Sequence, residues 1–139
     1  MELSKKFTAD LAEFEKALSG YKKVLELNPS NYNEVEADAI TNGWLQKFEY
    51  CTELCWKLGK VLLEWQYGSI VLFPKGVYRE LYLSGCFDDT LCQKLFNTVN
   101  DRNKMSHIYQ EEMFLLIIEN LNIHKDAFYN ALEIFKSYK

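Results

Sequence analysis

Arg102, Ser106 and Tyr109 occupy positions where a helical core stripe calls for leucine. The stripe Leu95, Val99, Arg102, Ser106, Tyr109, Met113, Leu116 keeps four-three spacing while its middle members turn polar. An arginine on a core-facing stripe has to meet a carboxylate, a phosphate or water, because burying a guanidinium unpaired costs several kcal/mol. An ion pair with Asp101, Glu49 or Glu53 inside the bundle answers that requirement structurally, and a bound anion answers it functionally. His107 adds a group that exchanges protons near neutral pH, although a single histidine in a bundle also reads as a hydrogen-bonded packing residue. On a continuous helix His107 stands about 140° from Arg102, whereas Tyr109 returns to within about 20° of it. Bringing guanidinium and imidazole together therefore requires a helix break near Lys104 to Ser106, or a second copy of the chain supplying the complementary group across a two-fold axis. The dimer is the preferred solution.

Other chemistries find no footing. The chain has no phosphate-binding P-loop, no dinucleotide glycine fingerprint and no His-Glu-x-x-His helix. Its two histidines, His107 and His124, are far apart in sequence, so no metal and no cofactor is expected. The four cysteines (Cys51, Cys55, Cys86, Cys92) lack zinc-ribbon spacing and read as small core residues, with a four-thiolate site as the alternative. Gly68-Ser69 is similar to the opening of a nucleotidyltransferase loop, but no paired acidic strand motif follows it. The chain is not expected to transfer nucleotides itself.

The elements that must position these residues are helices. A length of 139 residues, 48% hydrophobic and 26% charged, suits one domain, residues 1–139, with a single core. Fifteen per cent aromatic residues against six glycines and two prolines exclude disorder and a loop-rich β fold. Phe7, Leu11, Phe14, Leu18, Tyr21 and Leu25 predict a helix from about Leu3 to Leu27. Asn28 to Asn31 breaks it, and Asn31 with Glu34 predicts a capping box for a second, longest helix. That helix carries Trp44, Phe48, Cys51, Cys55, Leu58, Leu62 and Trp65 and ends at Gly68-Ser69. Pro74 opens a short third helix, and Asp88 and Asp89 cap a fourth. Met113 to Ile118 and Ala127 to Tyr138 continue the helical period, with a joint expected near Asn120 to Ile123. The expected architecture is an all-α, antiparallel, up-and-down bundle of about five or six helices.

A net charge of −4 rules out a polybasic nucleic-acid coat, so any nucleic-acid contact must be local, with modest salt dependence. The start of the chain lacks the apolar run of a signal peptide, and Met113 to Ile118 is far short of the roughly 20 residues that span a bilayer, so a reducing cytoplasm and no membrane partner are expected. Glu49 and Glu53, four apart, can orient Arg102 or His107, or pair in solvent with Lys57 or Lys60. Trp44, Phe48, Trp56 and Trp65 read as core or dimer interface, with stacking on unpaired bases as the alternative.

Three blocks carry a resemblance over nearly the whole chain. They are Lys47-Phe48-Glu49-Tyr50 through Glu53-Leu54-Cys55-Trp56-Lys57, then Pro74-Lys75 with Val77 and Arg79-Glu80, then Asp101-Arg102-Asn103 with Ser106-His107-Ile108-Tyr109 and Glu111-Glu112. In order and spacing the chain resembles the nucleotidyltransferase substrate-binding proteins of the HEPN superfamily, whose functional signature is an Arg, four residues, a His, one residue and a Tyr. The resemblance implies a helical homodimer working with a separately encoded minimal nucleotidyltransferase, often as a toxin–antitoxin pair. It further implies a metal-independent endoribonuclease, with Arg102 and His107 catalytic and Asn103 supporting; Ser106, Glu49 and Glu53 join as supporting residues from their own positions, and single-stranded RNA is the expected substrate. Tyr109 is then the residue that the partner adenylylates to silence the site.

These residue types suit that chemistry. An imidazole can take the proton from a ribose 2′-hydroxyl or protonate the leaving oxygen, and a guanidinium can stabilise the added negative charge on phosphorus. AMP on Tyr109 would place bulk and negative charge on the face of Arg102. The older family name implies the alternative, a non-catalytic adaptor that presents a substrate to the nucleotidyltransferase.

Overall fold

The computed structural model describes residues 2–107 and 111–138, with His107 described by its backbone alone. Among the described residues five α-helices run in chain order: α1 (Leu3–Leu25), α2 (Glu34–Tyr67), α3 (Pro74–Leu83), α4 (Asp89–Lys104) and α5 (Glu111–Lys136). Short 3-10 turns occupy Pro29–Asn31 and Met105–His107, and the described residues contain no strand. The all-α bundle expected from the periodicity is the fold observed.

Each helix buries the stripe its spacing sets out. Phe7, Leu11, Phe14, Leu18 and Tyr21 of α1 face Phe48, Cys51, Cys55, Leu58 and Leu62 of α2 and Phe128, Ala131, Leu132 and Phe135 of α5. Phe14, Phe128 and Phe135 meet edge to face at 6.2 and 6.4 Å, a geometry that favours aromatic rings. Two polar ties fix the helices axially: the Tyr21 hydroxyl donates to the Leu121 carbonyl at 2.7 Å, and the Trp44 indole N–H donates to the Val24 carbonyl at 2.6 Å. α3 lies close on α2 because Gly59 leaves room; a Cβ there would come within 2.8 Å of Leu81 Cδ1 and 2.9 Å of Val77 Cγ1. Gly85, at φ +86°, lets the chain leave α3, with the Cys86 N–H returning to the Leu81 carbonyl at 2.9 Å.

The structure moves three expected boundaries. The capping box is formed by Asn33 and Glu36, not by Asn31 and Glu34. Asn28 caps the 3-10 turn that contains Asn31, so Asn33 is the residue left with extended backbone to open α2. No joint interrupts Asn120 to Ile123, and α5 is one helix of 26 residues. The Asn120 side chain bonds to Asp101 at 3.0 Å rather than competing for its own backbone. Finally, the stripe from Leu95 to Leu116 is not one helix face. α4 stops at Lys104, and the interruption rephases α5 so that Ile117, Leu121, His124 and Phe128 face the core while Leu116 is 53% exposed.

Candidate functional site

The last turn of α4 carries Arg102 between two different environments. On one side its guanidinium meets α2, with Nη2 at 3.7 Å from Glu49 Oε1 and Nε at 3.5 Å from Glu53 Oε1. Of the three carboxylates expected as partners, Glu49 and Glu53 meet the arginine, whereas Asp101 turns to His124 instead. Arg102 keeps 36% of its side chain exposed, and its Nε is buried without a hydrogen bond, so the pair holds the group without saturating it. At these distances and exposures each pair contributes about 0–1 kcal/mol, which leaves the guanidinium able to exchange a carboxylate for another anion. Glu53 also pairs with Lys57 at 3.6 Å, so it serves both of the roles open to it from the sequence. The position of Arg102 and Lys104 in the last turn of α4 suits the negative end of the helix dipole.

On the other side of the same turn lies a polar pair that the sequence reading passed over. Asp101 Oδ2 stands 2.6 Å from His124 Nε2 and accepts from the Asn120 amide at 3.0 Å, and Lys104 approaches Oδ1 at 3.7 Å. Asp101 and His124 are 5% and 2% exposed. A carboxylate can only accept, so His124 presents Nε2–H to it. Burial alone would push the Asp101 carboxyl up, but the hydrogen bonds from His124 and Asn120, with the Lys104 ammonium nearby, hold it below the usual carboxylate range. The His124 ring also stacks on Phe48, with centroids 5.0 Å apart. The usable signal was His124 itself: it continues the stripe Ile117, Leu121, Phe128, and a histidine on a buried stripe needs a partner. The expected joint at Asn120 to Ile123 hid that continuity.

The remaining predicted residues are less tightly drawn together. Asn103 and Ser106 are exposed, and the Ser106 hydroxyl donates to the Asn103 carbonyl at 3.4 Å. Neither side chain bonds to Arg102 among the described residues. The His107 backbone closes the 3-10 turn Met105–His107 that follows α4, which is the break required for one chain to change the 140° separation. Tyr109 lies outside the described residues. Cys51, Cys55 and Cys92 are core residues; burial pushes the first two thiols up to about 12. Among the described residues no group of three or more His, Cys, Asp or Glu could hold a metal ion, and no helix is long and apolar enough to cross a membrane.

Residues 9–136 match the family described as nucleotidyltransferase substrate binding protein like. The chain belongs to that family. The fold of this family member is similar to that of a protein from Thermus thermophilus, at 26% identity and a TM-score of 0.76 over 88% of this chain and 98% of that one. It is also similar to a tri-AMPylated Shewanella oneidensis HEPN toxin in complex with MNT antitoxin, at 15% identity and a TM-score of 0.75 over 94% and 96% of the two chains. A toxin–antitoxin structure with AMP-PNP aligns at 14% identity and a TM-score of 0.74 over 93% and 96%. At those last two identities the likeness is one of fold. No curated protein matches the sequence.

Proposed function

We propose that this chain is the HEPN toxin-like component of a toxin–antitoxin pair, acting as a metal-independent endoribonuclease whose site combines Arg102 and His107 in a homodimer. The observation that carries this reading is the end of α4 at Lys104, which leaves a one-third-exposed, loosely paired Arg102 just before the turn that holds His107. Leu115 and Leu116, half exposed on α5 soon after the motif, supply apolar surface for a second copy of the chain. The fold likeness to an AMPylated HEPN toxin bound to its antitoxin supports a separately encoded minimal nucleotidyltransferase as partner, and the place of Tyr109 in the sequence motif makes it the residue to be adenylylated.

The reaction needs only these groups. His107 takes the proton from a ribose 2′-hydroxyl, the freed oxygen attacks phosphorus, and the bond to the 5′-oxygen breaks as that oxygen is protonated by imidazolium. The products are a 2′,3′-cyclic phosphate and a 5′-hydroxyl. Arg102 holds the phosphate and stabilises its added charge in the transition state, with Glu49 and Glu53 keeping the guanidinium in place beforehand. Asn103 and Ser106 supply exposed polar groups at the same helix end.

One observation favours the alternative of a non-catalytic adaptor: Glu49 and Glu53 already balance Arg102 within one chain. Purified chain incubated with single-stranded RNA and EDTA separates the two. Cleavage lost in His107→Ala supports the ribonuclease, and intact RNA with folded protein supports the adaptor. For the modification, mass spectrometry after co-expression with the nucleotidyltransferase should show added AMP that disappears in Tyr109→Phe; AMP on another residue would refute the assignment.

A further inference from the structure

We propose that the groove between α4 and α5 is a second binding site, which holds the phosphate–ribose backbone of a single-stranded RNA next to the Arg102 site. This rests on the ribonuclease reading above and extends it to how a substrate strand is held. The groove has a volume of about 330 Å³ and is walled by Lys94, Asn97, Asn100 and Lys104 of α4 and by Asn120 of α5, with His124 and Asp101 at its floor.

Three features select the ligand. First, the register is continuous: Lys94, Asn97, Asp101 and Lys104 follow at three, four and three residues, so they share one face of α4 over about 15 Å. Second, the floor is already satisfied, partly by the wall residues Asn120 and Lys104, while the other three wall residues are not. The Asp101 carboxylate is met by His124, Asn120 and Lys104, and its charge is spent inside the protein. Lys94 and the amides of Asn97 and Asn100 have no side-chain partner among the described residues, and Lys94 with Lys104 outweighs Asp101 by one positive charge in a chain of net charge −4. Third, Ile123 is the one apolar side chain in the lining, so the groove does not suit an amphipathic protein helix. Ammonium groups take phosphate oxygens, and amides, which both donate and accept, match ribose hydroxyls and base edges. Arg102 follows Asp101 directly, about 100° further round the helix, so a strand leaving the groove over the end of α4 passes onto the guanidinium.

The test uses the full-length His107→Ala chain, so that RNA is bound without being cut, and fluorescence anisotropy of a labelled single-stranded oligoribonucleotide over a salt series. Removing two phosphate contacts with Lys94→Gln plus Lys104→Gln should weaken binding about tenfold at low salt and flatten the log–log salt slope by about 1.4, with Lys94→Gln alone flattening it by about 0.7. Because Lys104 also touches Asp101, thermal melting accompanies the double variant; Lys94 makes no such contact, and its slope change stands by itself. AMP and inorganic phosphate serve as competitors. Failure of either to displace the strand at millimolar concentration supports a strand site, and full displacement by AMP would overturn it in favour of a mononucleotide site. An unchanged slope in both variants overturns the groove proposal and leaves the Arg102 reading standing. Absence of RNA binding by the parent chain overturns the groove proposal as well, while RNA cleavage by the wild-type chain reports separately on the ribonuclease reading.

Discussion

Replacing Asp101 with alanine should remove the polar anchor that ties the Arg102-bearing turn of α4 to α5. The carboxylate is buried and receives His124 at 2.6 Å and Asn120 at 3.0 Å, so its loss strands a buried imidazole N–H. Removing a buried carboxylate that leaves its hydrogen-bond donors stranded costs about 3 kcal/mol, or roughly 12 °C in Tm for a chain of this size. His124→Phe keeps the ring stacked on Phe48 but removes the N–H, and strands the carboxylate instead. In urea denaturation the double variant should therefore lose about 2 kcal/mol less than the sum of the two single losses. The pH dependence follows from the depressed Asp101 carboxyl. Its folded-state pKa lies below the unfolded value of about 3.9, so its stabilisation is complete above that value and disappears as pH falls through the folded one. The gap between wild type and Asp101→Ala should begin to narrow as pH falls below about 4, by the part of the loss that the depressed carboxyl pKa supplies. A loss under about 1 kcal/mol in Asp101→Ala, strict additivity with His124→Phe, or a gap that does not narrow in acid would refute the reasoning.

Four further substitutions, one of them with a compensating change, probe the frame around the site. Glu49→Gln and Glu53→Gln should each change the stability measured by chemical denaturation by under about 1 kcal/mol, because both carboxylates stand at 3.5–3.7 Å from Arg102 and are a third or more exposed. Gly59→Ala should destabilise by about 1 kcal/mol net, since overpacking against Val77 and Leu81 exceeds the gain in helix propensity, and Val77→Ala should recover part of the loss. Tyr21→Phe should lower stability by about 1 kcal/mol through loss of the bond to Leu121, visible as a shift in urea midpoint at unchanged slope.

Most of the fold is legible because hydrophobic spacing alone dictates it. The stripes from Phe7 to Tyr21 and from Phe48 to Leu62 are the observed core faces, and Asp88 caps α4 through the Leu91 N–H at 2.8 Å. What the spacing does not convey is phase across a break. The four-three pattern runs on from Arg102 to Leu116, yet the turn after Lys104 rotates α5 so that Ile117 takes the buried place and Leu116 turns outward. The polar residues Asn120 and Asn122 misled in the opposite sense. They look like a helix end from composition, whereas the Asn120 side chain, like that of His124 one turn on, is satisfied by Asp101 across the bundle, a partner that only the tertiary fold supplies. The same reasoning explains the site: Glu49 and Glu53 as partners of Arg102 followed from charge and face, but the division of labour between Arg102 and Asp101 on opposite sides of one turn did not.

The most direct measurement places a single ribonucleotide within an otherwise 2′-deoxy strand and analyses the products by mass spectrometry in the presence of EDTA. The account predicts scission after the ribonucleotide alone, leaving a 2′,3′-cyclic phosphate and a 5′-hydroxyl, and none with Arg102→Ala or His107→Ala. An uncut strand with correctly folded wild-type chain, or scission that survives either substitution, would contradict it.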